Sequence, residues 1–230
     1  MIHHLIVGVV AAALISLPVR AQSPAPKDLP VRLEIHPFPS LTISDSQFLS
    51  GDEKGKEVTL TGELSIAQGS GRLPVVVLMH GSGGIGGNIS YWKRQLNEMG
   101  VSTFVIDGFT GRGLTGVGSD QAQLGRLNFI LDIYRSLDIL AKHPRVDPNR
   151  IMLIGFSRGG QAALYASVER FRKMWNRSGV EFAAYIAFYP DCATAYREDV
   201  NVARRPIRIF HGAPDDYNPV PAPARRLSSG

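Results

Sequence analysis

One stretch, Ile151-Met152-Leu153-Ile154-Gly155-Phe156-Ser157-Arg158-Gly159-Gly160, limits what this chain can fold into more than any other. The apolar run Ile151 to Ile154 reads as a buried strand, and Gln161-Ala162-Ala163-Leu164-Tyr165-Ala166 opens a helix-forming stretch. Between them, Gly155-Phe156-Ser157-Arg158-Gly159 is a G-x-S-x-G nucleophile elbow in the strand–turn–helix setting that gives the motif meaning. The reason is steric. A serine on so sharp a turn sits in strained backbone, and neighbours without side chains let strand and helix pack closely. The hydroxyl then stands clear of the sheet, and the helix amides behind it favour a developing negative charge.

The surrounding sequence predicts an α/β protein with a doubly wound, mostly parallel sheet. From Val31 to Ile66 the pattern is short and alternating; Glu57 to Leu64 reads as a half-buried antiparallel strand. Leu73-Pro74-Val75-Val76-Val77-Leu78-Met79 is a continuous apolar run, as expected of a strand covered on both faces. Strands and helices then alternate. Helices are expected over Tyr91 to Met99, Leu124 to Lys142 and Ala162 to Trp175. Strands are expected over Val101 to Ile106, Phe182 to Tyr189 and Ile207 to Phe210, with a turn at Asp147-Pro148-Asn149 before the elbow strand. Such alternation implies parallel pairing through right-handed crossovers.

The 230 residues suffice for one domain, and 44% hydrophobic with 20% charged residues is the balance of an ordinary globular protein. Residues 1–21 read as a signal peptide. Leu5 to Leu17 is apolar but short for a bilayer span, and Val19-Arg20-Ala21 resembles a cleavage site. No second apolar span follows, so the expectation is a periplasmic or secreted protein without a stable membrane anchor. Residues 22–30 form a proline-rich linker and residues 31–230 the folded domain. The net charge of +5 brings no basic stripe with interleaved aromatics, which argues against nucleic acid as a partner. The single cysteine, Cys192, is either paired or a small buried hydrophobe.

In a sheet of this kind the site gathers at the carboxyl ends of the strands. After Met79 comes His80-Gly81-Ser82-Gly83-Gly84-Ile85-Gly86-Gly87, a glycine-rich loop that offers free N–H groups to an oxyanion. The expected donors are the amides of Ser82 and Arg158. The alternative reading, a phosphate loop, lacks the G-K-[ST] ending that such a loop carries. After Phe210, His211-Gly212-Ala213-Pro214-Asp215-Asp216 places a carboxylate just past a strand, where a triad acid sits in the order serine, acid, histidine. Asp215 is the first choice and Asp216 the reserve, against a plain turn-capping role. Asp107 to Gly113 ends another strand and is read as pocket lining.

Together these segments resemble α/β-hydrolases of the dienelactone hydrolase type, in their exported branch. The resemblance rests on His80-Gly81-Ser82-Gly83-Gly84, Asp107-Gly108-Phe109, Arg145 to Ile151, Gly155 to Gly160 and His211 to Asp216, in that order, and covers roughly Val31 to Pro219. It implies hydrolysis of small ester, lactone or related acyl substrates without metal or cofactor. Many members carry cysteine at the elbow, so the serine here keeps their substrate from being transferred.

A triad also needs a base. No histidine follows Asp215, and the tail carries alternating Pro219, Pro221 and Pro223. The resemblance implies a further strand and helix there, and a second cysteine just past the acid. The expectation is therefore a domain truncated near Pro219, lacking its last strand and helix. His211 and His80 are the substitute-base candidates; His36 and His143 fall away from the expected edge. Two functions follow: a serine hydrolase, or a catalytically inactive fragment or binding module on the same scaffold.

Overall fold

Apolar β-branched runs separated by amphipathic helices fold here into one twisted sheet with helices on both faces. The computed structural model describes residue 30, residues 32–191 and residues 194–212. The signal and cleavage residues, most of the linker, Cys192, Asp215, Asp216 and the proline-rich tail lie outside the described residues, as does the expectation of a lost strand and helix.

The strands are β1 (Arg32–Thr42), β2 (Lys56–Ile66), β3 (Leu73–Met79), β4 (Ser102–Asp107), β5 (Val146–Phe156), β6 (Ala184–Phe188) and β7 (Ile207–Phe210). They lie in the order β1-β2-β4-β3-β5-β6-β7. β1 pairs antiparallel with β2, and β2 antiparallel with β4; every later pairing is parallel. The alternating segment thus makes the antiparallel edge, and the continuous apolar run β3 sits between two parallel neighbours, buried from Val75 to Met79.

The helices are α1 (Asp45–Ser50), α2 (Gly87–Glu98), α3 (Asn128–Leu140), α4 (Arg158–Tyr165) and α5 (Glu169–Trp175). Among the described residues no helix is long and apolar enough to cross a membrane. α1 opens on a capping box, with Ser44 and Gln47 satisfying each other's backbone amides. The larger core joins α3, α4 and α5 to one face of the sheet; a smaller one, with Val76, Leu78, Val105, Ile154 and Phe156, lies beneath α2 on the other.

Three expectations need correction. The helix read over Leu124 to Lys142 is confined to α3, because Leu124 is extended and a short 3-10 turn, Gln121–Gln123, precedes it. The elbow helix begins at Arg158 and breaks before α5. Val168 bridges to Val202, Ala203 N donates to Ser167 O at 2.7 Å, and Ser167 Oγ turns back on Leu164 O at 2.6 Å. Tertiary pairing overrides the local preference to continue. The Asp147-Pro148-Asn149 turn lies inside β5 as a bulge, where the pairing steps from Leu73↔Val146 to Val75↔Ile151.

Candidate active site

Ser157 follows the last residue of β5 and heads α4 with φ 53° and ψ −117°, a strained conformation for a residue with a side chain. Its amide donates to Phe188 O at 3.0 Å and its carbonyl accepts from Gln161 N at 2.8 Å, so sheet and helix hold it from both sides. The turn is possible only because strand and helix touch backbone to backbone. A Cβ on Gly155 would overlap the Gly159 carbonyl, and one on Gly159 would overlap the carbonyls of Met79 and His80.

The glycine-rich loop after β3 lies directly against this turn. A Cβ on Gly81 would stand 3.3 Å from Ser157 Cβ. Gly84 N donates to Gly81 O at 3.1 Å, and Val117 N to Ser82 O at 2.7 Å, which fixes the loop on residues 115–121. As the first residue of α4, Arg158 belongs to a turn whose N–H groups have no intrahelical acceptor.

Gln121, which nothing local in the sequence marks, connects the two expected oxyanion residues. Its side-chain amide shares hydrogen bonds with Ser82 Oγ (2.8 and 3.1 Å) and accepts one from Arg158 Nη1 (2.8 Å). Arg158 Nη2 also donates to Leu124 O, and the guanidinium lies 5.4 Å from the Phe129 ring centroid. Burial, and then Arg126, pull the Arg158 pKa down to about 10, which leaves it charged at neutral pH. Arg126 itself pairs with Asp191 at 2.7 Å.

His80 is fully buried, with Nδ1 2.8 Å from Gly81 O and Nε2 accepting from Gly108 N at 3.1 Å. Both ring nitrogens are committed to backbone, and the ring packs on Phe109 and Phe129. Burial lowers its pKa. His80 therefore braces the end of β3 against the end of β4 and has no nitrogen to offer Ser157, which removes it as a substitute base.

The Asp107 segment is likewise committed to structure. Asp107 Oδ1 accepts from Phe109 N (3.0 Å) and Thr110 N (2.9 Å), and Phe109 is buried rather than lining a pocket. Burial alone would raise the Asp107 carboxyl, but the hydrogen bonds from Thr110 and Phe109 hold it below the usual value. His211 follows β7. Since Phe156 pairs with Phe188 and Phe188 with Phe210, it sits on the same edge as Ser157, two strands away, about 10 Å between backbones. Glu34, His36 and His143 form a separate cluster away from this edge.

A cleft of about 800 Å³ opens elsewhere, between β1–β2 and α3. Glu53, Arg135 and Arg177 line it; Arg177 and Arg135 pair with Glu53, the latter at 4.0 Å. None of the elbow or oxyanion-loop residues lines it, so its size says nothing about the reaction.

No curated protein sequence matches the chain. Among solved structures, a dienelactone hydrolase-like promiscuous phosphotriesterase from metagenomic libraries superposes with a TM-score of 0.62 at 17% identity, over 86% of this chain and 77% of its own. A lipase/esterase from Lactobacillus plantarum gives 0.58 at 15% identity over 86% of each chain. Est1E from Butyrivibrio proteoclasticus gives 0.54 at 16% over 83% and 84%. At these identities the likeness establishes the fold. The sequence profile described as the dienelactone hydrolase family matches residues 60–228, most of the chain. With the elbow, the glycine loop and the sheet order in place, this chain belongs to the dienelactone hydrolase family and is a hydrolase.

Proposed function

We propose that Ser157 is the nucleophile of an exported esterase or lactonase acting on small carboxylic acyl substrates. The observation that carries this reading is the Ser157 backbone, φ 53° and ψ −117°, at the head of α4. A non-glycine residue held in such strain is expected where exposure of its side chain has a use. A base takes the Ser157 proton as Oγ attacks the acyl carbon, and the carbonyl electrons move to oxygen. The amides of Ser82 and Arg158 bind that oxyanion; its electrons return, the C–O bond breaks and the alcohol leaves with the base's proton. Water, deprotonated by the same base, then adds to the acyl carbon and returns the serine with its proton. Asp215 is the proposed acid, with Asp216 in reserve. Of the two histidines at this edge His211 is the proposed base, because His80 has both nitrogens engaged. The apolar Leu5 to Leu17 segment supports export to the periplasm or beyond. The name of the lipase/esterase among the fold neighbours agrees with acyl chemistry, whereas the phosphotriesterase is named for phosphorus esters.

The test uses purified protein, a fluorophosphonate probe and p-nitrophenyl acetate, with Ser157→Ala and His211→Ala alongside. The expected result is a label on Ser157 by peptide mass spectrometry, and hydrolysis lost in both variants. Equal rates in Ser157→Ala and the parent protein reject the nucleophile. Labelling without turnover leaves the nucleophile standing and rejects catalysis in favour of a binding role. Full activity in His211→Ala rejects that base.

A further inference from the structure

We propose that Glu34, His36 and His143 form a binding site for a divalent transition metal, of which zinc best fits the donors. Glu34 and His36 are two residues apart on β1, so their side chains leave the same face; both are half-buried, while Leu33 and Ile35 on the other face are exposed. His143 arrives from the turn after α3, where its amide donates to Leu140 O at 3.2 Å. Both imidazoles aim Nε2 at one carboxylate oxygen: Glu34 Oε2 lies 2.8 Å from His36 Nε2 and 3.1 Å from His143 Nε2. All three ligand atoms lie within 4.8 Å of one another. A tetrahedral zinc with bonds of about 2.0–2.1 Å needs donors about 3.3 Å apart, so the two Glu34–histidine distances must widen by a few tenths of an ångström while the two imidazole nitrogens, within 4.8 Å of each other, settle to the same spacing.

The charge around the carboxylate is mixed. Glu34 Oε1 already faces one cation, the Arg32 guanidinium, whose Nε stands 2.8 Å away. The cluster also lies beyond the C-terminal turn of the 13-residue α3, whose carbonyl end favours positive charge. Two imidazole nitrogens select zinc, copper, nickel or cobalt over magnesium and calcium.

Two groups oppose the ion: the Arg32 guanidinium, which already pairs with Glu34, and the Arg145 amide. Arg145 N points at His143 Nδ1 from 3.2 Å, and a metal-bound imidazole carries its proton on that nitrogen. This contact must open, which leaves the site about 10- to 100-fold weaker than one with an acceptor there. On binding, a neutral imidazole that carries its proton on Nε2 shifts it to Nδ1, and only an imidazolium releases a proton. The ion would clip the edge strand β1 to the connection before β5. His143 precedes β5 and Ser157 follows it, so the length of that strand separates the ion from the elbow.

The test titrates zinc sulfate into chelator-treated full chain by calorimetry, with thermal unfolding in parallel and cobalt(II) as the spectroscopic probe. Glu34→Gln, His36→Gln and His143→Gln are compared, each checked for fold by circular dichroism without metal. The expected result is one zinc per chain, a Tm rise of about 5 °C at 100-fold excess over Kd, and visible cobalt bands. Each variant lowers zinc affinity at least tenfold, while fluorophosphonate labelling of Ser157 is the same with and without zinc. No zinc uptake, or uptake unchanged in Glu34→Gln and His36→Gln, overturns the proposal, the latter placing zinc on other histidines.

Discussion

Two polar clusters flank the carboxyl edge of the sheet, and they are built on opposite principles. In the first, Arg112 and Asp132 face each other almost without exposure. Arg112 Nη1 donates to Asp132 Oδ2 (2.8 Å) and Gly108 O (2.7 Å), and Nη2 to Asp132 Oδ1 (2.9 Å) and Leu41 O (2.8 Å). Nε donates to Thr42 Oγ1 at 3.1 Å, so all five guanidinium donors are used. Asp132 also accepts from Ser40 Oγ at 2.6 Å. In the second cluster, Ser157 and Arg158 open a helix whose first amides have no intrahelical partner, beside a loop of glycines. Where every donor finds an acceptor the result is architecture. Where donors and a hydroxyl stay turned outward at a strained turn, the result can be chemistry.

The contrast is sharpest in what single substitutions do. Ser157→Ala is expected to lower kcat/KM for p-nitrophenyl acetate by at least about 10³-fold with Tm unchanged. Ser157→Gly loses the same activity but gains about 1 kcal/mol of stability, because glycine adopts φ 53° and ψ −117° without strain. A Tm equal to that of Ser157→Ala would show that the turn stores no strain. At the other cluster the sign reverses. Asp132→Ala strands a buried guanidinium and costs about 3–5 kcal/mol, read as a lower midpoint in urea. An unchanged midpoint would remove the cluster from the list of what holds β1 to α3.

Gln121 lies between the two principles, a structural residue that serves the site. Gln121→Ala removes the acceptor of Arg158 Nη1 and the partner of Ser82 Oγ together. It is expected to cost about 1–2 kcal/mol and, on the proposed oxyanion role of the Ser82 and Arg158 amides, to lower kcat about tenfold with KM less affected, because the two residues lose their common brace. An equal loss in Gln121→Ala and Gln121→Glu would sink this reading, since glutamate keeps an acceptor for Arg158.

The sequence exposed the covalent neighbourhood of the reaction and hid its supports. β3 and β7 fall on the residues their apolar runs mark, and the antiparallel edge follows from alternation at Glu57 to Leu64. The elbow is legible because strand, glycines, serine and helix are contiguous. Gln121 is not, because its partners are 37 and 39 residues away and glutamine carries no pattern of its own. The end of α4 is equally hidden: the contacts that stop the helix after Tyr165 include the pairing of Val168 with Val202 and of Ala203 N with Ser167 O, more than thirty residues apart. For His80, a histidine before a glycine in a turn already favours a backbone-bonded role, but the partner of its Nε2, Gly108 N, lies 28 residues away and carries no local mark.

That burial gives the smallest effect, and a signed one. In the folded chain burial lowers the His80 pKa below its ordinary value of 6.5, so the folded state resists a proton that the unfolded chain accepts. Stability is therefore complete above about pH 6.5 and declines as pH falls from there through the folded-state pKa, because the unfolded state binds more protons in that window. The carboxyl of Asp107, held below its ordinary 3.8, adds a second decline only at more acid pH, so the two are separable. His80→Asn keeps a group that can accept from Gly108 N but does not titrate. Its urea midpoint, measured from pH 7.5 to 5, should be lower overall yet flatter than the parent's. If both slopes are the same, His80 carries a proton in the fold, and the brace between β3 and β4 must be redrawn with a charged ring.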